Sequence, residues 1–449
     1  MKKNDIVEIE ITALSSECSG IGKKDGMVIF VPFSAIGDKL EVKILKVNKT
    51  YCYGKIERII TPSPDRVTPD CPVYTKCGGC SLRHISYEAQ LRAKEQFVKD
   101  AFTRIGGLSP EFLPIIRNTN INGYRNKLQM PIGTDKDGNL IAGFYAFQSH
   151  RIVPCEKCLL QPDIFSKITA DFLNIATELK LSAYDETTRK GTLRHLYLRK
   201  GHYSGEICLC IVVAKNVPEI KILSDRLLEK YPEIVSSVIN VNSKDTNVIL
   251  GEKEILCTAK GTINDTMCGN CITISPKSFY QINTTSAEKL YAAARDFADA
   301  AGKTVLDLYC GAGTIGLSMA RTAKKIIGVE IVPEAIENAK QNALANGITN
   351  CEFISAEAAR ILHSRSLRPD VIMVDPPRKG CGRDACEQIA AFSAPRIVMV
   401  SCNAATAARD CACFAELGYS TDKCVAVDMF SGTNHVECVV LLTKNSSIS

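Results

Sequence analysis

From about residue 275 onward, short apolar runs alternate with stretches of helical period, and that alternation leaves few folds open. The runs fall at 304–309, 325–331, 351–355, 370–375, 396–401, 423–428 and 436–442. Strands joined through helices run parallel, and the helices then cover both faces of the sheet. Only a short loop separates the last two runs, so they are expected as an antiparallel pair at the end of the sheet. The reading is a Rossmann-like α/β unit over residues 273–449. Sheets of this kind bind ligands outside the carboxyl ends of their strands.

Three of those strand ends, and the start of the last run, carry distinctive residues. Asp307-Leu308-Tyr309-Cys310-Gly311-Ala312-Gly313-Thr314 joins the first run to a helix, and its glycines let backbone approach a ligand closely. Residues 311–316 match the G-x-G-x-x-G pattern, but glycine turns make that match by chance. The surrounding acids say more. Glu330 ends the next run about 20 residues later, where a carboxylate accepts hydrogen bonds from ribose hydroxyls. Glu357 follows the third run and is placed to face an adenine. Asp307 stands before the loop and suits a cationic amino-acid moiety better than a pyrophosphate. Together these acids favour S-adenosylmethionine over a nicotinamide dinucleotide. In Asp375-Pro376-Pro377-Arg378 two prolines stiffen a loop that offers a carboxylate to a polar substrate edge. Cys402 follows the run 396–401, where a thiol is placed as a nucleophile. His435 and Glu437 share one face of the last run. There Glu437 is the candidate general base, and His435 a supporting hydrogen-bonding group.

A chain of 449 residues exceeds one hydrophobic core, so more units precede this one. Residues 1–60 read as five short strands of an OB-like barrel, punctuated by Gly20, Gly22, Gly26 and Gly37. Lys39, Lys43, Lys46, Lys49, Lys55 and Arg58 crowd its second half, as a solvated surface or as a grip on an RNA backbone. Thr61-Pro62-Ser63-Pro64-Asp65 is a linker by composition. Residues 61–272 are assigned to a central α+β unit. Within it, Leu91, Val98, Ala101, Phe102 and Ile105 mark a helix over 86–105 that is expected to pack on the catalytic unit. No catalytic motif is evident in 119–270. The chain starts without the apolar core of a signal peptide, and it has no run long enough to span a membrane. Net charge is +6, which permits a polyanionic partner without demanding one. Twenty-one cysteines without an export signal point to free thiols and metal ligands in a cytoplasmic protein rather than to disulfides.

Cys71-x5-Cys77-x2-Cys80 lies in one Gly- and Pro-containing loop, and Cys155-Glu156-Lys157-Cys158 follows downstream. Four thiolates hold either an iron–sulfur cluster or zinc. Zinc favours two C-x2-C pairs, Cys77/Cys80 with Cys155/Cys158. The spacing is not the C-x3-C-x2-C of radical enzymes. Cys268-x2-Cys271 has no partner pair and is read as structural.

Six ordered motifs then carry a resemblance. They are Ser278-Phe279-Tyr280-Gln281-Ile282-Asn283, the glycine loop, Asp375-Pro376-Pro377-Arg378, Ser401-Cys402-Asn403, Asp428-Met429-Phe430 and His435-Val436-Glu437. Together they resemble the S-adenosylmethionine-dependent RNA (uracil-5-)-methyltransferases. Residues 1–60 resemble the TRAM RNA-binding module, so the likeness covers essentially the whole chain. It implies that a thiolate at Cys402 adds to uracil C6, that C5 takes the methyl group, and that Glu437 removes the C5 proton. It implies that Gln281, Tyr309, Glu330 and Asp375 contact cofactor or target base, with Gly311 and Gly313 in the cofactor loop. Phe279 and Tyr280 are candidates near a base that must leave its stack. Thr314 stands where some relatives carry asparagine. The resemblance places a 4Fe–4S cluster on Cys71, Cys77, Cys80 and Cys158, with Cys155 as a bystander. It is most like the 23S ribosomal RNA branch, with transfer RNA as the alternative substrate, and it implies a monomer without a membrane partner. Two other readings are an amino-group methyltransferase, which shares a D-P-P loop, and a non-catalytic RNA-binding scaffold. Arg378 stands where amino-group enzymes present an aromatic, and neither reading needs Cys402 and Glu437.

Overall fold

A computed structural model describes residues 1–245, 247–356 and 367–445. Strands β1 (Ile6–Leu14), β2 (Ser19–Lys24), β3 (Met27–Pro32), β4 (Lys39–Val47) and β5 (Tyr51–Thr61) close a barrel in the order β1-β2-β3-β5-β4. Alternation sends Ile9, Ile11, Ile29, Val31, Leu40, Val42 and Ile44 inward. Lys39, Lys46 and Lys49 stay exposed, whereas Arg58 is paired with Glu41 at 2.6 Å.

Strand β6 (Glu111–Ile116) precedes a seven-stranded sheet. Its strands are β7 (Lys127–Thr134), β8 (Leu140–Tyr145), β9 (Ile152–Pro154), β10 (Leu193–Lys200), β11 (Ile207–Val213), β12 (Ile234–Val241) and β13 (Lys253–Leu256), in the order β13-β12-β11-β10-β7-β8-β9. Helices Asp163–Glu178 and Pro218–Lys230 pack on it. Strands β14 (Ile263–Met267) and β15 (Asn270–Ile274) form a hairpin. Cys268 and Gly269 turn it with φ of 50° and 77°, the left-handed pair that a two-residue hairpin requires.

The third sheet comprises β16 (Thr304–Leu308), β17 (Lys325–Glu330), β18 (Cys351–Ser355), β19 (Val371–Val374), β20 (Arg396–Ser401), β21 (Tyr419–Val427), β22 (Glu437–Lys444) and β6. Its order is β18-β17-β16-β19-β20-β22-β21-β6, with β16 to β20 parallel. Strands β21 and β22 are antiparallel as expected, but they do not end the sheet. Strand β22 inserts between β20 and β21, and β6 pairs in parallel with β21 to make the edge. Strand β6 comes from the stretch assigned to the central unit. Its Pro114 cannot donate to a ladder, which disguises the strand in sequence and suits it to an edge.

The expected helix over 86–105 is an α-helix at Tyr87–Asp100, capped by Ser86, that widens into a π-helical turn at Ala101–Ile105. Leu91, Val98, Ala101 and Phe102 are buried, but Ile105 is exposed. The wider turn carries Ile105 off the apolar stripe that a uniform α-helix would give it. Lys94 latches this helix to the catalytic unit. Its Nζ donates to Asp428 Oδ1 at 2.6 Å and to the Phe430 carbonyl at 2.9 Å, and both charged side chains are fully buried. Tyr87 and Ser431 hydroxyls donate to Asp428 Oδ2 at 2.8 Å. Removing one member of such a pair leaves an uncompensated buried charge. None of the described helices is long and apolar enough to cross a membrane.

Candidate active site

The carboxyl ends of β16, β17, β19 and β20 open into a cleft of about 960 Å³. Register explains the convergence. Leu308 pairs with Val329 and with Val374, so Tyr309, Glu330 and Asp375, one position further along, emerge together. Ser401 pairs with Cys438 on the antiparallel β22. One further step sets Cys402 opposite Glu437. Tyr309, Gly311, Glu330, Asp375, Arg378, Cys402, His435 and Glu437 all line the cleft, and Phe279, Tyr280 and Gln281 form another wall.

The turn after β16 is built for close approach. Tyr309, Gly311 and Gly313 have φ of 62°, 54° and 78°, a conformation glycine adopts without strain. Gly311 N donates to Glu330 Oε2 at 3.3 Å, and Val332 N donates to Oε1 at 3.0 Å, so the acid is fixed by its own loop. Two expected cofactor residues do not line the cleft. Asp307 is buried beneath the turn and accepts from Gly316 N at 3.0 Å. Its role is to tie strand to helix, since a residue inside β16 cannot reach past the strand end. Gly313 caps the helix Thr314–Met319, and a Cβ there would come within 3.0 Å of Phe353. The Thr314 hydroxyl pairs with Tyr291 at 3.1 Å rather than facing the cleft. Glu357 lies outside the described residues.

The acids are electrostatically loaded. Burial pushes Asp375 up to about 7 and Asp307 to about 7, the latter helped by Asp375. Asp307 Oδ1 is buried without a hydrogen-bond partner. Burial, then the Asp375 charge, pushes Glu437 up to about 8, against the pull of Arg378. Carboxylates crowded in this way resist ionisation unless a cation joins them. The donor set and the space therefore fit a cofactor that brings positive charge.

Cys402 lies between β20 and the helix Ala404–Glu416. Asn403 caps that helix, accepting from Ala405 N at 3.0 Å and Thr406 N at 3.4 Å. Burial and Glu437 raise the thiol's pKa, and Arg378, hydrogen-bonded to it, lowers it. The helix N-terminus favours the thiolate as well. Burial, then Arg378, push His435 down to about 4, so its ring is neutral, and it packs edge-on against Phe430. Phe279 is 72% exposed at the cleft mouth, free to meet a ligand. Tyr280 is buried, with its hydroxyl donating to Asp265 at 2.9 Å.

Sequence reasoning named Arg378 only as the end of the proline loop; the structure makes it the cation beside the thiol, and two further cleft residues were missed. Lys127 and Arg199 line the cleft from the central sheet, in a stretch that showed no motif. Strand β10 reads LRHLYLRK and is buried along almost its whole length, and its arginines were the available signal, because arginine is almost never fully buried without purpose. Arg199 donates to the Tyr280 carbonyl at 3.1 Å and stands over its ring, which fixes the wall that bears Phe279 and Gln281.

Cys71, Cys77, Cys80, Cys155 and Cys158 line a second cavity of about 270 Å³. Lys127 lines both spaces. No three of these sulfurs lie mutually within 4.8 Å, a condition met among the described residues only by Cys381, Cys386 and Asp410. An ion bound at about 2.3 Å from each sulfur requires closer spacing. The five thiols surround room for something larger than one ion.

Comparison with known proteins accords with this geometry. The tRNA (Uracil-5-)-methyltransferase family model matches residues 86–445, and the TRAM domain model matches residues 2–56. The chain is 43% identical over 448 residues to an uncharacterized RNA methyltransferase of Clostridium tetani, covering 99% of this chain and 97% of the relative. It is 42% identical over 448 residues to one of Halalkalibacterium halodurans, covering 98% of each. The crystal structure of Pyrococcus abyssi tRNA (uracil-54, C5)-methyltransferase in complex with S-adenosyl-L-homocysteine superposes with a TM-score of 0.78 at 27% identity, covering 97% of this chain and 100% of that one. The chain therefore belongs to the tRNA (uracil-5-)-methyltransferase family and carries an N-terminal TRAM domain.

Proposed function

We propose that this chain is an S-adenosylmethionine-dependent RNA methyltransferase acting on C5 of a uridine in 23S ribosomal RNA. The observation that carries the reading is the pairing of Cys402 with Glu437 across adjacent strand ends, in one cleft with Asp375. Glu330, Tyr309, Gly311 and Gln281 would hold S-adenosylmethionine, which supplies an electrophilic methyl group. The Cys402 thiolate adds to uracil C6, forming an S–C bond and pushing electrons onto C5. Arg378 stabilises that thiolate before attack. Asp375 orients the polar edge of the base, and Phe279 offers a stacking face to a nucleotide drawn from its helix. C5 would take the methyl group, leaving the cofactor as a thioether, and Glu437, which burial keeps protonated until positive charge enters the cleft, takes the C5 proton as the carboxylate. The C6–S bond then breaks, and Cys402 is restored as thiolate.

The division of labour follows the chain. Residues 1–60 grip RNA, residues 61–272 carry the cysteine site and lend β6, Lys127 and Arg199 to the catalytic unit, and residues 273–449 supply the rest of the methyl-transferring site. The sulfur spacing supports a 4Fe–4S cluster on Cys71, Cys77, Cys80 and Cys158 rather than zinc. That cluster, by family resemblance, supports ribosomal over transfer RNA. We place the protein as a cytoplasmic monomer.

The test is transfer of labelled methyl to 23S RNA and to transfer RNA by wild type and by Cys402→Ala. Turnover on 23S RNA is expected to fall by about 10³-fold or more in the variant. Undiminished turnover would remove the covalent route, and methylation of transfer RNA alone would reassign the substrate.

A further inference from the structure

A second thiol cluster lies beside the cleft, apart from the five cysteines of the smaller cavity. Cys381 Sγ, Cys386 Sγ and a carboxylate oxygen of Asp410 lie within 4.8 Å of one another. Cys386 and Asp410 are buried, and Cys381 is half-buried on the cleft wall. Cys413 follows Asp410 by three positions on the helix Ala404–Glu416, so both project from one face. Its thiol adjoins that of Cys386. All these cysteines are free.

Neighbouring thiols alone are common in cores, where cysteine behaves as a small hydrophobe. A buried carboxylate within 4.8 Å of two of them, itself paired with Arg409, is a less ordinary neighbour. Asp410 is held as a metal-ligating carboxylate is held, by donors that leave it oriented. Cys381 N donates to its Oδ2 at 2.7 Å, and Arg409 donates to its Oδ1 at 2.7 Å. A tetrahedral ion about 2.3 Å from sulfur and about 2.0 Å from oxygen sets its donors about 3.5–3.8 Å apart. Three donors need only a small closure to reach that spacing; Cys413 Sγ lies outside that set, beside Cys386, and must swing in to complete it.

We propose that Cys381, Cys386, Asp410 and Cys413 form a second metal site, which takes a borderline-soft divalent ion of the zinc class. Three sulfurs select such an ion over magnesium or calcium. On binding, S–metal bonds replace S–H bonds, the thiol protons pass to solvent, and nothing is oxidised or reduced. The ion joins the loop that follows Asp375 and Arg378 to the helix that follows Cys402. Hydrogen bonds already trace that junction. The Arg378 carbonyl accepts from Asn403 and Thr406 at 3.3 Å, and the Lys379 carbonyl accepts from Arg409 at 2.9 Å. The site thereby fixes the Arg378 guanidinium against the Cys402 thiol, a positioning role separate from the chemistry.

The experiment is metal analysis of the full-length protein, purified anaerobically without chelator and then supplied with zinc. About one zinc per chain is expected alongside iron, with zinc absorption spectra showing sulfur at about 2.3 Å. Cys386→Ser and Cys413→Ser should each lose zinc and keep iron, whereas Cys77→Ser should keep zinc. Folding of each variant is checked by circular dichroism, and the absorption spectrum of wild type stands even where a variant fails to fold. The proposal is overturned by wild type that takes up no zinc, by zinc that survives both serine variants, or by zinc that disappears only with Cys77→Ser. Mass mapping of a Cys381–Cys386 disulfide in the anaerobic protein overturns it as well. These outcomes are independent of which RNA is methylated.

Discussion

Glu437→Gln separates the electrostatic reading of the site from its chemistry. Glutamine keeps the shape of the protonated acid and cannot ionise. Raising the carboxyl from 4.5 to about 8 corresponds to about 5 kcal/mol between its two protonation states. The sign follows from linkage. The unfolded chain ionises above its ordinary value while the folded chain stays protonated, so wild type loses stability from there upward and the loss levels off above the folded value. The variant is exempt. Relative to wild type it should gain little near pH 4.5, about 2 kcal/mol at pH 6, and about 5 kcal/mol at pH 9. Urea unfolding of cofactor-free protein followed by tyrosine fluorescence reads this out, since the chain has no tryptophan. The same variant should retain thiol addition but stall at proton removal, so that an RNA–protein adduct accumulates while tritium release from C5 stops. A gain independent of pH, or a destabilised variant, would refute the buried-carboxylate argument. Normal tritium release would remove Glu437 as the base.

Three further outcomes are expected. S-adenosylmethionine affinity should rise about tenfold from pH 6 to pH 8, because a cation in the cleft favours the ionised form of Asp375, which burial holds near 7; calorimetry showing no pH dependence would contradict this. Cys77→Ser should abolish iron binding and the brown colour of anaerobic protein, while a colourless wild type would return the smaller cavity to another ligand. Replacing Lys39, Lys46 and Lys49 with glutamine should weaken RNA binding and flatten its log–log salt dependence by about 2, with an unchanged slope excluding that face of the barrel from the RNA.

The sheet was legible because its strands are continuous apolar runs bounded by glycine and proline, the pattern that burial on both faces imposes. Tyr309, Glu330, Asp375 and Cys402 were legible for the same reason, since a strand end identified in sequence is a strand end at the cleft. Residues whose place depends on distant partners were not. Strand β6 is short, carries a proline, and pairs with a strand about 310 positions away. Lys127 and Arg199 belong to another sheet, and only tertiary packing turns them toward the cleft. Asp307 misled because proximity in sequence to the glycine loop was taken for proximity to the ligand, whereas a side chain inside the strand points into the helix layer. Asp428 was recognised as part of a motif, but its partner Lys94 precedes it by 334 positions and nothing local announces it.

That latch has a consequence for how the chain is made. Tyr87 leaves the ribosome 341 residues ahead of Asp428, an interval of roughly 20–70 s at ordinary elongation rates. Throughout it, Val98, Ala101 and Phe102 have no sheet to cover them, and Lys94 has no counter-charge. The early helix therefore keeps an apolar face uncovered during synthesis, and a fragment beginning near residue 273 would lack both its edge strand and its clamp. The methyl-transferring unit is complete only when the two ends of the polypeptide have met.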